Sequence, residues 1–521
     1  VINGGQDIVV GDNGYVSWDV GRLLTGFGSS QTDVGGNDLI DVGNGSNIVV
    51  GGFGDDAIAT GAGADIVLGD DGRVDYVIAD GDSTDIDLVE STSTRDFGGT
   101  DTIVTGGGDD IVIGGRMDDT IDAGEGDNLV IGDSGRITAA DLNAPQLADQ
   151  PITLGLVETI TPADGGNDTI VTGSGDDVVL AGFGGDTVTS GAGNDTLIGD
   201  NGQIGYTGAT MTTVESTDRI AATGGDDVID AGNGNNLVIG GVGNDTVTTT
   251  DGRDVVIGDN GTIVNDTSGS LLQVSSGNPL LGGNDTISTG DGFDVAIGGA
   301  GNDIVGSGGG NDVLFGDGGQ VTFAAGGTRL TISSLDIQFG GNDTLNGGAG
   351  NDIVIGGQGS DLLFGTLSED LIFTSYGSLV LAGGLVQDIQ IDLQDPLAAA
   401  MLDQFTVEPE SDEEEIASLL EGLPGYSTVL PDSLDGLAAP EPLLDASVFQ
   451  RVFKLGAFSR SVQFLDDILF QQQFDSNAVT VPAVPIRDGI LQPADEDDSA
   501  APVGDETDAA TEELPVPAPA L

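Results

Sequence analysis

The chain has 521 residues, of which 90 are glycine and only 4% are aromatic, and its formal net charge is −75 at pH 7. A chain with so much glycine and so few large side chains does not form one large globular core. The negative charge argues against nucleic acid as a partner, and the absence of cysteine excludes disulfide bonds. No run of about 18 apolar residues occurs, so we expect no transmembrane segment.

An acidic or amide residue recurs every nine residues from Asp38 to Asp361, in blocks of three or four. Of the 23 positions in this series, 20 are Asp and three are Asn. Each closes a glycine-rich hexad and opens an aliphatic triplet whose second residue is Val, Ile or Leu everywhere except at Ala296. Because side chains alternate along a strand, stacked triplets would pool these aliphatic residues in one core. The pattern predicts an all-β solenoid.

The repeat has a recognisable consensus. Residues 51–59, Gly51-Gly52-Phe53-Gly54-Asp55-Asp56-Ala57-Ile58-Ala59, read as GGxGxDxUx, where U is a large aliphatic residue. This resembles the nonapeptide repeat of the RTX, or hemolysin-type, calcium-binding proteins. The resemblance covers roughly residues 1–383. It implies a parallel β-roll that takes up calcium outside the cell, and export of the unfolded chain through a type I secretion channel.

The hexads also have the chemistry of a calcium site. Calcium takes about six to eight oxygen ligands from carboxylates and backbone carbonyls, and glycine permits a tight turn that exposes its carbonyls. Two nonapeptides make one coil, so turns 18 residues apart lie over each other. We expect one ion between each such pair, and on the order of ten ions in all. The expected pairs include Asp38 with Asp56, Asn47 with Asp65, Asp101 with Asp119, and Asp168 with Asp186.

The predicted calcium ligands are aspartates and the glycines of the best-matched hexads. The aspartates are Asp38, Asp56, Asp65, Asp101, Asp110, Asp168, Asp177, Asp186, Asp195, Asp227, Asp245, Asp285, Asp294, Asp303, Asp312, Asp343, Asp352 and Asp361. The glycines are Gly51, Gly52, Gly54, Gly240, Gly241, Gly243, Gly298, Gly299, Gly301, Gly347, Gly348, Gly350, Gly356, Gly357 and Gly359.

A second interpretation is a plain glycine-rich solenoid whose aspartates hydrogen-bond their own turns. Adjacent carboxylates such as Asp109 and Asp110 favour the calcium interpretation, because a cation makes such crowding tolerable. Two hexads depart from the consensus: Met117 replaces a glycine before Asp119, and residues 249–253 differ before Asp254. These two sites are in doubt. The asparagines Asn47, Asn128 and Asn236 lose the charge, so weaker sites are expected there.

A longer period of 58 to 67 residues overlies the first. Segments such as Gly69-Asp70-Asp71-Gly72 close each block and are followed by two alternating stretches around a polar turn. This predicts two-coil roll segments joined by inserts, each a β-hairpin or a wider coil. The inserts would bind cell-surface or extracellular polymers, unless they are spacers. The expected cassettes are about 1–34 (a truncated cassette with its insert), 35–97, 98–164, 165–222, 223–281, 282–339 and 340–383.

The two ends of the chain differ from the repeats. Residues 7–12 match the end of a cassette whose beginning is missing, so we expect a fragment of a longer protein whose upstream part carries any further activity. Residues 385–393 alternate like a last strand. Residues 384–492, with clustered Phe and basic residues in 448–474, would be a cap on the roll or an export signal. Residues 493–521 are acidic and rich in Pro and Ala, which predicts a disordered tail.

Catalysis has little support in this composition. The chain has no His, no Cys and a single Lys, and carboxylates that recur every nine residues are a property of the repeat. Three functions remain open. The first is a calcium-folded stalk or adhesin segment of a secreted or cell-surface bacterial protein. The second is the secretion and folding module of a toxin or hydrolase. The third is ice binding through hydroxyls at Thr60, Thr105, Thr172 and Thr289.

Overall fold

A computed structural model describes residues 5–382, except residues 80, 82, 94–96, 141–150, 324–328, 337, 366–369 and 375–377. The described residues are almost entirely strands and turns, with one short 3-10 helix at Ala221–Thr223. The predictions for residues 384–492 and 493–521, including the irregular acidic tail, lie outside these residues. No helix in the described part of the chain has the length and apolar character needed to cross a bilayer.

A parallel sheet of 13 strands, here called the central sheet, runs through the repeats. Its strands are the aliphatic triplets that follow every second hexad, and they pair in register, as Ile48–Val50 does with Ile66–Leu68. Its strands are Ile8–Val10, Ile48–Val50, Ile66–Leu68, Ile111–Gly115, Leu129–Asp133, Val178–Leu180, Thr196–Ile198, Leu237–Ile239, Val255–Ile257, Val295–Ile297, Val313–Phe315, Ile353–Ile355 and Leu371–Phe373.

The remaining triplets form a second parallel sheet of 12 strands, here called the outer sheet. Central and outer strands alternate along the chain, so two nonapeptides make one coil of a parallel β-roll. This confirms the predicted fold class for the repeats. Its strands are Leu39–Gly43, Ala57–Thr60, Thr102–Val104, Thr120–Asp122, Thr169–Val171, Thr187–Thr189, Val228–Gly232, Thr246–Thr249, Thr286–Ser288, Ile304–Gly306, Thr344–Asn346 and Leu362–Phe364.

The inserts form a third sheet of 13 antiparallel strands, here called the hairpin sheet. Each insert contributes a hairpin, such as Gly72–Asp75 with Leu88–Ser91, and neighbouring hairpins pair with one another, as Leu88–Ser91 does with Gly135–Ala139. The hairpin prediction is therefore right and the wider coil is not. The strands are Gly14–Trp18, Leu24–Ser29, Gly72–Asp75, Leu88–Ser91, Gly135–Ala139, Leu154–Thr159, Gly202–Thr207, Thr210–Ser216, Gly261–Asn265, Leu271–Ser276, Gly319–Phe323, Arg329–Ser334 and Ser378–Ala382.

A fourth, small sheet of three two-residue strands lies among the turns. It comprises Asp291–Gly292, Gly309–Gly310 and Ala349–Gly350.

The inserts do not interrupt the roll, which corrects the prediction of separate two-coil segments. Ile66–Leu68 pairs directly with Ile111–Gly115 across the insert, just as it pairs with Ile48–Val50 inside a cassette. The parallel stack is continuous because each hairpin leaves the coil and returns to the same level. The inserts therefore contact each other beside the roll.

The central sheet is buried on both faces, and this adds a second core to the one predicted. Val67 packs with Ile58 in the core between the two parallel sheets, whereas Ile66 and Leu68 pack with Val74 against the hairpin sheet. A parallel strand covered on both faces reads as a continuous apolar run, as Ile66–Leu68 does. Outer strands instead alternate between exposed and buried residues.

Candidate metal centres

The hexads are the turns that connect the two parallel sheets, so they lie in two rows. The insert edge leads from the central to the outer sheet, and every second turn on it is split by a hairpin. The plain edge leads back. Hexad residues are numbered 1 to 6 below. Position 6 on the insert edge is Asp38, Asp56, Asp101, Asp119, Asp168, Asp186, Asp227, Asp245, Asp285, Asp303, Asp343 and Asp361. Position 6 on the plain edge is Asn47, Asp65, Asp110, Asn128, Asp177, Asp195, Asn236, Asp254, Asp294, Asp312, Asp352 and Asp370.

The predicted ligands divide between these rows. Of the predicted glycines, Gly347, Gly348 and Gly350 lie on the plain edge and the others on the insert edge. The insert edge thus contains the hexads that match the consensus most closely.

Position-6 side chains form a hydrogen-bonded ladder along each row. On the insert edge the Oδ1 atom of each accepts the backbone N–H of the preceding position-6 residue at 2.7–3.1 Å. The four expected pairs stack as predicted. The ladder also crosses the inserts, where Asp56 N–H donates to Asp101 45 residues away. Pairs separated by 18 residues are therefore not isolated from one another.

The second carboxylate oxygen has no hydrogen-bond donor on the insert edge. All twelve position-6 aspartates of that row have a buried Oδ2 without a hydrogen-bond partner. A buried, ionised oxygen without a donor costs several kcal/mol unless a cation is beside it. The row therefore has the polarity that a cation requires.

A carbonyl faces this oxygen across the space left by a glycine. A methyl group on Gly51 at position 1 would lie 2.5 Å from Asp56 Oδ2, and it would also meet the carbonyl oxygen of Gly69 in the next turn. Gly69 and Gly258 show the same arrangement with Asp101 and Asp285. Carboxylate and carbonyl oxygens are the ligands that calcium prefers. The residues present thus fit calcium.

Burial raises the pKa of these carboxyl groups. Desolvation is the largest cause, and neighbouring carboxylates add to it, so the pKa values of Asp101, Asp285 and Asp343 rise to about 8. A carboxylate row of this kind holds protons at neutral pH unless a divalent cation neutralises it. A bound cation reverses the local preference and favours the ionised form.

Backbone carbonyls must supply part of any coordination shell. Among the residues that the structure describes, no three acidic side chains converge as a ready-made metal cluster. Each turn contributes one carboxylate oxygen and the bare carbonyls of its glycines. This division of ligands is available to calcium, which accepts carbonyl oxygen readily.

An aspartate at position 2 of each split turn was not among the predicted ligands. Asp70 Oδ2 accepts the N–H of Arg116 in the next coil at 2.7 Å, and Gly99 N–H, where the chain returns from the hairpin, also donates to this carboxylate. Asp70 therefore holds the split turn against the intact turn that follows. The recurring Gly-Asp pair was a sequence signal for it. The equivalent residues are Asp12, Asp133, Asp200, Asp259 and Asp317.

Asp370 is a second residue that the sequence analysis missed. It lies nine residues after Asp361, and its Oδ1 accepts the N–H of Asp352 at 3.1 Å. Its spacing was the available signal. Its hexad lacks the consensus glycines, which is why the series seemed to end earlier.

The two hexads in doubt keep their place in the rows. Asp119 accepts the N–H of Asp101 at 2.7 Å, and Met117 adopts the positive φ of 73° that glycine has elsewhere. Asp254 accepts the N–H of Asn236 at 2.8 Å. The departures from the consensus thus do not displace these carboxylates.

Position 1 differs on the plain edge, where it is often Ser or Thr. Ser190 donates to Asp195 Oδ2 at 2.6 Å, and Thr289 donates to Asp294 Oδ2 at 2.8 Å. The hydroxyls considered above for ice binding belong to this set, and all of them are buried. They do not form an exposed face, so that alternative loses its basis.

The fold and these rows define a calcium-binding parallel β-roll. The family model of the RTX calcium-binding nonapeptide repeat (4 copies) matches residues 41–73, 104–136, 163–202, 213–247, 239–262, 281–314 and 338–372. No curated protein matched the sequence. Through its repeat region, residues 41–372, the chain belongs to the RTX family, whose repeats bind calcium, are structural rather than catalytic, and are typical of secreted proteins.

Proposed function

We propose that this chain is a calcium-folded stalk or adhesin segment of a secreted or cell-surface bacterial protein. The observation that carries the proposal is the unbroken row of twelve buried Oδ2 atoms without donors on the insert edge. Such a row opposes folding while it is bare, because like charges repel at close range. It supports folding once calcium bridges the turns.

Calcium concentration makes this a switch between compartments. With dissociation constants of about 0.1–1 mM, about 10 mM free calcium stabilises the fold by roughly 1.4–2.7 kcal/mol per site, and about 0.1 µM contributes almost nothing. On the order of ten sites exceed the stability of a typical domain. The chain would thus stay unfolded during export and fold outside the cell.

The hairpin sheet is the proposed contact surface for extracellular polymers. Its side chains that face away from the roll form a polar row across neighbouring hairpins, in which Glu90 pairs with Arg73 and Arg136, and Arg136 pairs with Glu158. The row continues through Gln203. A continuous polar face of this kind suits hydroxyl-rich chains such as polysaccharides. Retention of the folded chain on immobilised polysaccharides, lost on chelation, would support this role; no retention on any would contradict it.

Far-ultraviolet circular dichroism of the calcium-free chain during calcium titration tests the central proposal, with magnesium as the control. Magnesium demands near-octahedral geometry and dehydrates reluctantly. We expect a transition from coil to β structure at millimolar calcium and none with magnesium. A chain that is fully folded without calcium and indifferent to its addition would overturn the proposal.

A further inference from the structure

Three turns of the plain edge end in asparagine, and their amide orientation is fixed. Asn128 Oδ1 accepts the N–H of Asp110 at 3.1 Å, the role that Oδ1 of aspartate has in neighbouring turns. The Nδ2 atom therefore occupies the place that Oδ2 has in an aspartate turn. Asn47 and Asn236 accept the N–H groups of Asp7 and Asp195 in the same way.

Backbone carbonyls converge on that place. Asn128 Nδ2 donates to the carbonyls of Gly126 at 2.9 Å and Thr172 at 3.0 Å. In the first such turn, Asn47 Nδ2 donates to the carbonyls of Gly45 at 2.7 Å and Gly43 at 3.2 Å. The surroundings are thus acceptors, and they need a donor or a cation. The amide supplies the donor from the chain itself.

The residue at position 1 changes together with position 6. The three asparagine turns begin with Val42, Ala123 and Ala231, which have no hydroxyl. The aspartate turns between Asp65 and Asp312 all begin with Thr or Ser: Thr60, Thr105, Thr172, Ser190, Thr249, Thr289 and Ser307. The two aspartate turns at the end of the row begin with glycine instead. A hydroxyl donor is present beside a carboxylate and absent beside an amide, which already brings its own donors.

We propose that Asn47, Asn128 and Asn236 close their turns to calcium, with the side-chain amide in the position of the ion. This rests on the proposed function and changes the expectation of weak sites at these residues. A cation at this place would face N–H groups that point at the same carbonyls. These turns therefore complete their hydrogen bonding without metal, and the number of ions on the plain edge is smaller than the number of turns.

The test compares two triple variants of the full chain, Asn→Asp and Asn→Ala at positions 47, 128 and 236. Bound calcium per chain is measured by equilibrium dialysis and metal analysis at saturating calcium. The Asp variant should bind about three more ions than the wild type, because each new carboxylate joins a cage of carbonyls. The Ala variant should bind the same number as the wild type. Fewer ions in the Ala variant with no gain in the Asp variant would overturn the inference, because the asparagines would then be ligands.

Folding is checked in each sample by circular dichroism. If a triple variant does not fold, Asn128→Asp and Asn128→Ala are compared alone, with an expected difference of about one ion. A wild-type chain that binds no calcium would overturn the proposed function itself. That result is distinct from a wild type that binds calcium and an Asp variant that gains none.

Discussion

The two edges of the roll are built from the same hexad but satisfy their carboxylates differently. On the insert edge position 1 is glycine in every turn except the one that begins at Ala181, and every position-6 Oδ2 lacks a donor. On the plain edge hydroxyls at Ser190, Thr249 and Thr289 donate to the carboxylate, and three turns use an amide. The comparison teaches that one side chain beside the carboxylate decides how strongly a turn depends on a cation.

The largest difference should come from replacing one aspartate in each row by asparagine. Asp101→Asn on the insert edge removes a charge from a fully buried position whose neighbours are built for a cation. We expect a loss of about 1.4–2.7 kcal/mol at about 10 mM calcium, the contribution of one site. Asp110→Asn on the plain edge is the matched control, and less than half of that loss is expected because asparagine occurs naturally in this row. Chemical denaturation at fixed calcium measures both, and equal losses would contradict the difference between the edges.

Acidification should partly replace calcium. Burial raises the pKa of Asp101 and Asp303 to about 8, whereas that of Asp254, beside the Thr249 hydroxyl, rises only to about 6. A folded-state pKa above the unfolded value means that the folded state binds more protons. The resulting stability is fully present below about pH 4 and is lost as the pH rises through about 6 to 8.

The calcium-free chain should therefore gain β structure between pH 8.5 and 5, and calcium should bind less tightly over the same change because protons compete for the carboxylates. Circular dichroism and calcium titrations at several pH values measure the two effects. A calcium-free chain with the same β content at pH 8.5 and at pH 5 would contradict the burial of bare carboxylates.

Removal of a plain-edge hydroxyl should have a moderate effect. Ser190→Ala leaves Asp195 Oδ2 without its donor, and hydrogen bonds to charged groups contribute about 1.5–3 kcal/mol. We expect a loss of this size without calcium-binding stoichiometry changing. Ser174→Ala is the control, because this exposed serine lies at position 3 of the preceding turn and its loss should cost less than about 0.5 kcal/mol. Unfolding in denaturant compares them.

The smallest effect should come from relieving the backbone at Met117. Its φ of 73° lies in the left-handed region, which costs a non-glycine residue about 1–2 kcal/mol. Met117→Gly should recover about 1 kcal/mol and restore the consensus. Gly54→Ala, at the equivalent position with φ of 120°, should destabilise the chain. A loss of stability in both variants would mean that the Met117 side chain contributes more through packing than its backbone costs.

Much of the roll could be predicted from local features. The nine-residue spacing, the glycine turns and the aliphatic residue two positions after each aspartate gave the coil length and the stacking of Asp38 on Asp56 and of Asp101 on Asp119. They also gave the hairpins. These features depend on turn geometry and strand alternation, which involve only a few neighbouring residues.

The donor-free row of the insert edge, the second core and the hairpin sheet were not predicted, and the reason is common to them. Whether Ile66 and Leu68 are buried depends on Val74 and on a sheet made from six separate inserts. The role of Asp70 depends on Arg116, 46 residues away. The sequence by itself determined the repeat and its calcium chemistry, because both are written in consecutive residues. Only the tertiary structure decided which turns share an edge and which carboxylates have a donor, because those partners come from other coils.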